Sequence, residues 1–409
     1  MKNFILIIWI TLIFSSCRSL FFETNISNGN ELTIVRKPDS VIYRFKKLDS
    51  LKTYQEGFAN YWERDLRSRD ISDMDLKNNL KELLHSDFDS KTNWPKSLPV
   101  GFNPDSIMEI GKNPGLGIRD LHQMGITGKG ISIAIIDQNL LVDHYEYKNQ
   151  LRLYEEIHVQ KKSPAQMHGP AVASIAVGKT VGVAPEADLY YVSSVNGSMF
   201  YWLIKYKLFK IRKVNPKWDA KSIYRILEIN RTLPADRKIR VISISFGSYK
   251  KNFLKAIEDA RNEGVFVISS SLKQTHNLRF HGLGKECLSD PDDINSYFPG
   301  AWWSKSFYQS PDKFKIDSIL MVPMDSRCTA SQCGKDSYVF YPNGGWSWSI
   351  PYIAGLYALA CQVKPSITPQ EFWNKALETG NIIEIDQNGK KYKFGKIVNP
   401  IKLMEMLKK

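Results

Sequence analysis

Asp137, His168 and Ser347 stand in that chain order, each inside a short island of distinctive composition. IAIID closes on the aspartate, MHGPAVASIAVG holds the histidine, and GGWSWSIPYIAGLYALA encloses the serine. Together these residue types make an activated nucleophile. A serine hydroxyl attacks carbonyl carbon poorly at neutral pH; a base within hydrogen-bond reach must take its proton, and a third group must orient that base. Ser347 is the candidate nucleophile, His168 the general base and then acid, and Asp137 the group that fixes the imidazole. The chemistry is acyl transfer through a covalent intermediate. A lone histidine ahead of a small-residue helix reads as structural; three islands in this order turn that reading round.

Five apolar runs must position these groups: ISIAIID (131–137), ADLYYVSSV (187–195), RVISISFG (240–247), GVFVISSS (264–271) and DSILMVPMD (317–325). Continuous β-branched runs separated by helical stretches predict an α/β fold, a mostly parallel central sheet covered by helices on both faces. Functional groups in such sheets gather beyond the carboxyl ends of the strands, and Asp137 ends the first run. WSIPYIAGLYALACQV is apolar nearly all round, which predicts a buried central helix. Its N-terminus would present Ser347 beside unbonded backbone N–H groups, where a developing oxyanion gains from the helix dipole. Pro351 is expected in the first turn, with no i−4 bond to lose. Gly344 and Gly345 allow a tight turn ahead of the serine. Between the second and third runs, MFYWLIKYKLFKIRKVNPKWDAKSIYRILEINRTL reads as a packed helix pair with a wet basic face, the alternative being a substrate-facing or membrane-facing element.

On these islands, residues from about 115 to 400 resemble the subtilisin-like serine peptidases, the subtilase family. IAIID is similar to the family's Asp strand, HGPAVASIAVG to its His helix and VGVAPEADLYYV to the segment that follows. VISISFG is similar to its substrate-lining strand and GWSWSIPYIAG to its Ser helix. The resemblance implies the three-layer subtilisin-like fold and a serine endopeptidase with no required cofactor. It also implies that an extended substrate pairs as an added strand near Ser245, Phe246 and Gly247. The alternative is a catalytically inactive subtilase fold kept as a peptide-binding or scaffolding lipoprotein; a non-peptidase serine hydrolase is a third reading.

The departures from the family pattern predict an altered cleft. Gln138 and Asn139 follow Asp137 where a small residue and glycine are usual, Pro170 and Ala171 follow Gly169, and Trp346 precedes Ser347 where threonine is usual. Trp346 and Trp348 could shape a pocket, or Trp348 could pack in the core. The family's oxyanion asparagine falls, counted from Gly264, at Lys273; Gln274 and Asn277 are the other candidates, with no donor at all as the remaining case. In subtilisin the loss of that donor costs about 10²- to 10³-fold in turnover, a slowing rather than an abolition.

The first sixteen residues, MKNFILIIWITLIFSS, carry one lysine, an apolar stretch and two small residues before Cys17. This reads as an export signal, too short to span a membrane. FSSC resembles the lipobox of bacterial lipoproteins, which implies lipidation of Cys17 and a membrane-anchored place in the bacterial cell envelope. The expected organisation is a signal peptide at 1–17, a polar, partly helical spacer or pro-region at 18–95, and a peptidase domain at 96–409. Within the spacer, SVIYRF (40–45) is strand-like, and YQEGFANYWERDL and MDLKNNLKELLHS are helical patterns.

A net charge of +14, from 56 basic and 42 acidic residues, suits a solvated basic surface, anionic headgroups beside an anchor, or acidic substrates. Nucleic acid is not expected, since no recognition motif is present. Export permits disulfides among Cys287, Cys328 and Cys333, with connectivity open, while Cys361 falls on the apolar helix as a buried small hydrophobe. No Cys/His spacing suggests zinc and no carboxylate-rich loop suggests calcium, so no metal is expected.

Overall fold

The computed structural model describes residues 32–41, 46–55, 64–159, 162–194, 216–314 and 316–409. The signal segment with Cys17, most of the 40–45 piece, most of the helical pattern at 54–66 and the first part of the basic aromatic stretch lie outside these residues.

Alternation along one strand sets the architecture. In β5 (Ser132–Asp137), Ile133 and Ile135 belong to one buried cluster while Ala134 and Ile136 belong to another, because successive side chains of a strand point to opposite faces. The central sheet contains β1 (Thr33–Ile34), β6 (Leu151–Glu156), β7 (Asp188–Ser193), β8 (Ile239–Ile244) and β9 (Phe266–Ser269) beside β5. Its order is β1-β6-β7-β5-β8-β9, and every pair is parallel.

Helices α3 (Ile118–Gln123), α4 (His168–Val177), α9 (Trp346–Val363), α10 (Pro369–Thr379) and α11 (Pro400–Leu407) bury residues in the cluster on the Ile133 face. Helices α5 (Pro216–Thr232) and α6 (Lys251–Asn262) cover the opposite face. This is the expected three-layer fold.

Two features of the strands differ from expectation. The run DSILMVPMD forms β12 (Leu320–Pro323) in a second sheet, ordered β11-β10-β12-β16-β15, with β10 (Phe280–Lys285), β11 (Tyr297–Pro299), β15 (Asn381–Gln387) and β16 (Lys390–Ile397). An apolar run announces a strand buried on both faces, but not the sheet that will hold it. The central place is taken instead by β6, whose Glu155 and Glu156 pair with Arg225 and Arg36 and so break its apolar pattern.

Residues ahead of 96 pack onto the rest of the chain. β4 (Phe88–Asp89) joins β13 (Arg327–Ala330) and β14 (Tyr338–Tyr341), with Phe88 opposite Phe340. Leu66, Ile71, Leu76, Leu83 of α1 (Leu80–Leu84) and Phe88 share a buried cluster with Phe102, with Ile107 of α2 (Pro104–Lys112), and with Cys287 and Phe340. β14 leads directly to the turn before Ser347. The short pair β2 (Lys46–Lys47) and β3 (Arg69–Asp70), together with α7 (Leu272–His276) and α8 (Ser304–Gln309), completes the framework.

Candidate active site

Because Ile133 and Ile135 face α4 and α9, the pleat turns Asp137 to the same side. Its carboxylate is buried, 2% exposed, at the end of β5. His168, the first residue of α4, donates from Nδ1 to Asp137 Oδ1 at 2.7 Å, and the Gln138 N–H donates to the same oxygen at 2.7 Å. Burial pulls the imidazole pKa down, but the charge and hydrogen bond of Asp137 together outweigh it, so the net shift is upward from 6.5. With Nδ1 holding the proton for Asp137, Nε2 is left as the basic nitrogen.

Gly169 makes this approach possible. A Cβ there would lie 2.6 Å from the Gln138 carbonyl, 2.8 Å from that of Asn139 and 2.8 Å from the Tyr191 hydroxyl. The two departures after Asp137 also have work here. Gln138 Oε1 accepts from the His168 N–H at 3.3 Å. Asn139 Nδ2 donates to the Ser163 and Pro164 carbonyls at 3.1 Å each, and its Oδ1 accepts from the Ser193 hydroxyl at 2.7 Å. The segment leading into His168 is thereby fastened to the strand ends. Sequence reading singled out both residues as unusual but not for these tasks.

Ser347 is the second residue of α9, after Gly345 at the N-cap. Pro351 therefore lies beyond the first turn, contrary to expectation, and the carbonyl that loses its i−4 partner is that of Ser347 itself. Ser245 fills the gap: its Oγ donates to the Ser347 carbonyl at 3.1 Å, and Ser347 Oγ donates to the Ser245 carbonyl at 3.3 Å. The Ser347 hydroxyl thus rests on Ser245, and no hydrogen bond joins it to His168. Trp348 links the two elements, its ring centroid 5.3 Å from His168 and 5.4 Å from Tyr341. It packs in the core, 5% exposed.

The proposed substrate-lining residues follow β8. Ser270 N–H donates to the Phe246 carbonyl at 3.2 Å, while the Phe246 ring packs on the α5/α6 side of the sheet. Gly247 lies against Ser271, where a Cβ would meet the hydroxyl at 2.5 Å. Lys273 and Gln274 are exposed on α7, and Asn277 caps that helix in the left-handed region. None of the three is hydrogen-bonded to Ser347. Trp346 packs instead within a group that sequence reading missed, Phe280, His281 and Trp302, with ring centroids 5.2, 5.5 and 5.4 Å away. Cys287, Cys328, Cys333 and Cys361 are buried thiols.

Residues 128–302 match the Subtilase family. The matched stretch contains Asp137, His168 and Ser245–Gly247 and ends before Ser347. The subtilisin-like protease PopC of Myxococcus xanthus is 31% identical over 90 residues, 19% of this chain and 19% of PopC. The chain therefore aligns with under a fifth of that relative's length. Among solved structures, the prenylagaramide maturation protease PagA is 16% identical with a TM-score of 0.46, covering 71% of this chain and 98% of its own. The PatG macrocyclase domain is 15% identical with a TM-score of 0.45, covering 71% and 94%. Likeness at that level carries no residue roles.

Proposed function

Residues 128–302 belong to the subtilase family, and from that premise we propose that this chain is a serine endopeptidase acting through Asp137, His168 and Ser347. The observation that carries the reading is the 2.7 Å bond from His168 Nδ1 to the buried Asp137 carboxylate, which leaves Nε2 basic on the side where α9 begins. Ser347 Oγ turns from the Ser245 carbonyl toward Nε2, gives up its proton and attacks the scissile carbonyl. His168 then protonates the leaving amine, and water hydrolyses the acyl-enzyme by the reverse proton path. Catalytic hydrogen bonds are often loose in unliganded sites and tighten with substrate. The Trp346 and Ser347 N–H groups open α9 without i−4 partners, and with the helix dipole they would stabilise a developing oxyanion.

Peptide would lie as an added strand along Ser245, Phe246 and Gly247. Export and membrane anchoring at Cys17 rest on the FSSC motif. The test is fluorophosphonate labelling of a chain starting after Cys17, beside its Ser347→Ala and His168→Ala variants. We expect labelling lost in both variants and cleavage of peptides, whether or not simple esters are cleaved as well. Absence of labelling in the folded protein sinks the proposal in favour of a silent peptide-binding fold, and labelling with ester cleavage alone points to a non-peptidase hydrolase.

A further inference from the structure

Asp325, just beyond β12, is 5% exposed and plays no part in the reaction just described. Its Oδ1 accepts from the Gly344 N–H at 2.7 Å and its Oδ2 from the Ala301 N–H at 2.9 Å. Gly344 opens the turn before Ser347, and Ala301 belongs to the loop that carries Trp302 against Trp346. We propose that the ionised Asp325 carboxylate is a positioning residue for acyl transfer, clamping the turn ahead of Ser347 to the loop at Gly300–Trp303. The proposal rests on Ser347 being the nucleophile.

The fit around the clamp is close. A Cβ on Gly344 would lie 2.3 Å from the Met324 carbonyl and 2.7 Å from Trp348 Cδ1, so the turn sits directly on the end of β12. The Asp325 N–H itself donates to the Leu283 carbonyl at 3.0 Å, and Ser349 Oγ of α9 donates to the Pro323 carbonyl at 3.4 Å. Trp302 Nε1 meets Met324 Sδ at 3.2 Å. The carboxylate therefore joins three segments, the end of β12, the turn before α9 and the aromatic loop, and among the described residues it alone bonds the backbone of Gly344 and of Ala301 at once.

Both of its partners are N–H donors, so a proton on Asp325 places a hydroxyl against a donor and breaks one tie. Burial raises this carboxyl to about 7, against the pull of its two N–H partners. The charged and titratable groups on the packed elements are few. Glu286 adds to the rise, while Lys285 Nζ is taken by the Glu286 and Ser289 carbonyls. His281, pulled down to about 4 by burial, is neutral over the working range, and Arg327 is aimed at the Pro114 and Val181 carbonyls. Tyr297 donates to the Pro291 carbonyl, and α9 carries no charged residue. Full activity then requires two groups to be deprotonated, His168 and Asp325.

The linkage runs the other way for stability. The folded state binds this proton more tightly than the unfolded chain, so the stability it contributes is complete below the ordinary carboxyl pKa and lost as pH rises through about 7. A neutral isostere therefore keeps the fold at pH 8 while losing the clamp.

Fluorophosphonate labelling of the full chain in detergent, from about pH 5 to pH 9, tests this with Asp325→Asn alongside. Thermal unfolding and amide exchange at Gly344 are followed in parallel. The wild type should show an acid limb with a slope of two protons. The variant should show one proton, a plateau lower by about 10- to 100-fold, faster exchange at Gly344 and an unchanged melting temperature at pH 8. A wild-type slope of one, or a variant that keeps the plateau rate or the second proton, overturns the proposal. If the variant does not fold, the wild-type slope decides alone. No labelling of the wild type at any pH is the failure of the peptidase reading; Gly344 exchange then judges the clamp, and unchanged protection in Asp325→Asn overturns it.

Discussion

Without Asp137, burial alone acts on the His168 imidazole. In Asp137→Asn the pKa should fall below 6.5 instead of lying above it, moving the His168 limb of the labelling profile to lower pH. If the proposed triad acts, the plateau should drop by about 10⁴-fold, the loss seen when a serine-peptidase triad loses its carboxylate. The sign for stability follows from the raised pKa. The pair's contribution is present below the unfolded value and lost as pH rises through the folded one, so the variant should lose more stability at pH 6 than at pH 8. Ser245 offers a second test at this scale. Ser245→Ala should cost about 1 kcal/mol in denaturant unfolding by orphaning the Ser347 carbonyl, and much less in a Pro351→Ala background, where a helical N–H returns. That Asp137 and His168 would meet was readable in the chain, because each has a local setting at a strand end or a helix start. The tasks of Gln138 and Asn139 were not: an amide side chain specifies no partner, and theirs lie on the segment at 163–168, brought near only by folding.

The elements that carry the site meet through close contact rather than through long side chains. Gly169→Ala should push α4 from the turn after β5, costing about 1–3 kcal/mol and most of the labelling rate, since the new methyl must displace two carbonyls. A variant that labels normally would show that the turn yields. Four of the five apolar runs became strands of the central sheet because continuous burial on two faces leaves a strong pattern. β6 was hidden by charged residues whose partners, Arg36 and Arg225, come from either side of it in sequence. The β15–β16 hairpin had a local signal that went unread: Asn388 and Gly389 both take positive φ, as a two-residue hairpin turn demands. The helix N-terminus bearing Ser347 was legible; the place of Pro351 depended on where α9 starts, which sequence patterns locate least well.

For the molecule as a whole, residues 64–95 share one core with the strand that leads to Ser347. A chain beginning at residue 96 should fail to fold, because truncating Phe88 alone to alanine should cost about 3–5 kcal/mol. Circular dichroism of the shortened chain checks this, and a native melting temperature would make the segment dispensable. The extent of that packing was not visible beforehand, since its apolar residues are spaced among charges and find Phe102, Ile107 and Phe340 only in the folded state. The buried sulfurs carry a different kind of information. Burial raises the thiols of Cys287 and Cys361 to about 11 and that of Cys328 further, and only thiolates react readily. These three thiols should therefore consume a thiol reagent only as fast as the fold around each opens. Cys287 times the release of the N-terminal segment, Cys328 the parting of β13 from β14, and Cys361 the loss of the central helix. Three positions in one chain thus act as clocks for the order in which the molecule comes apart.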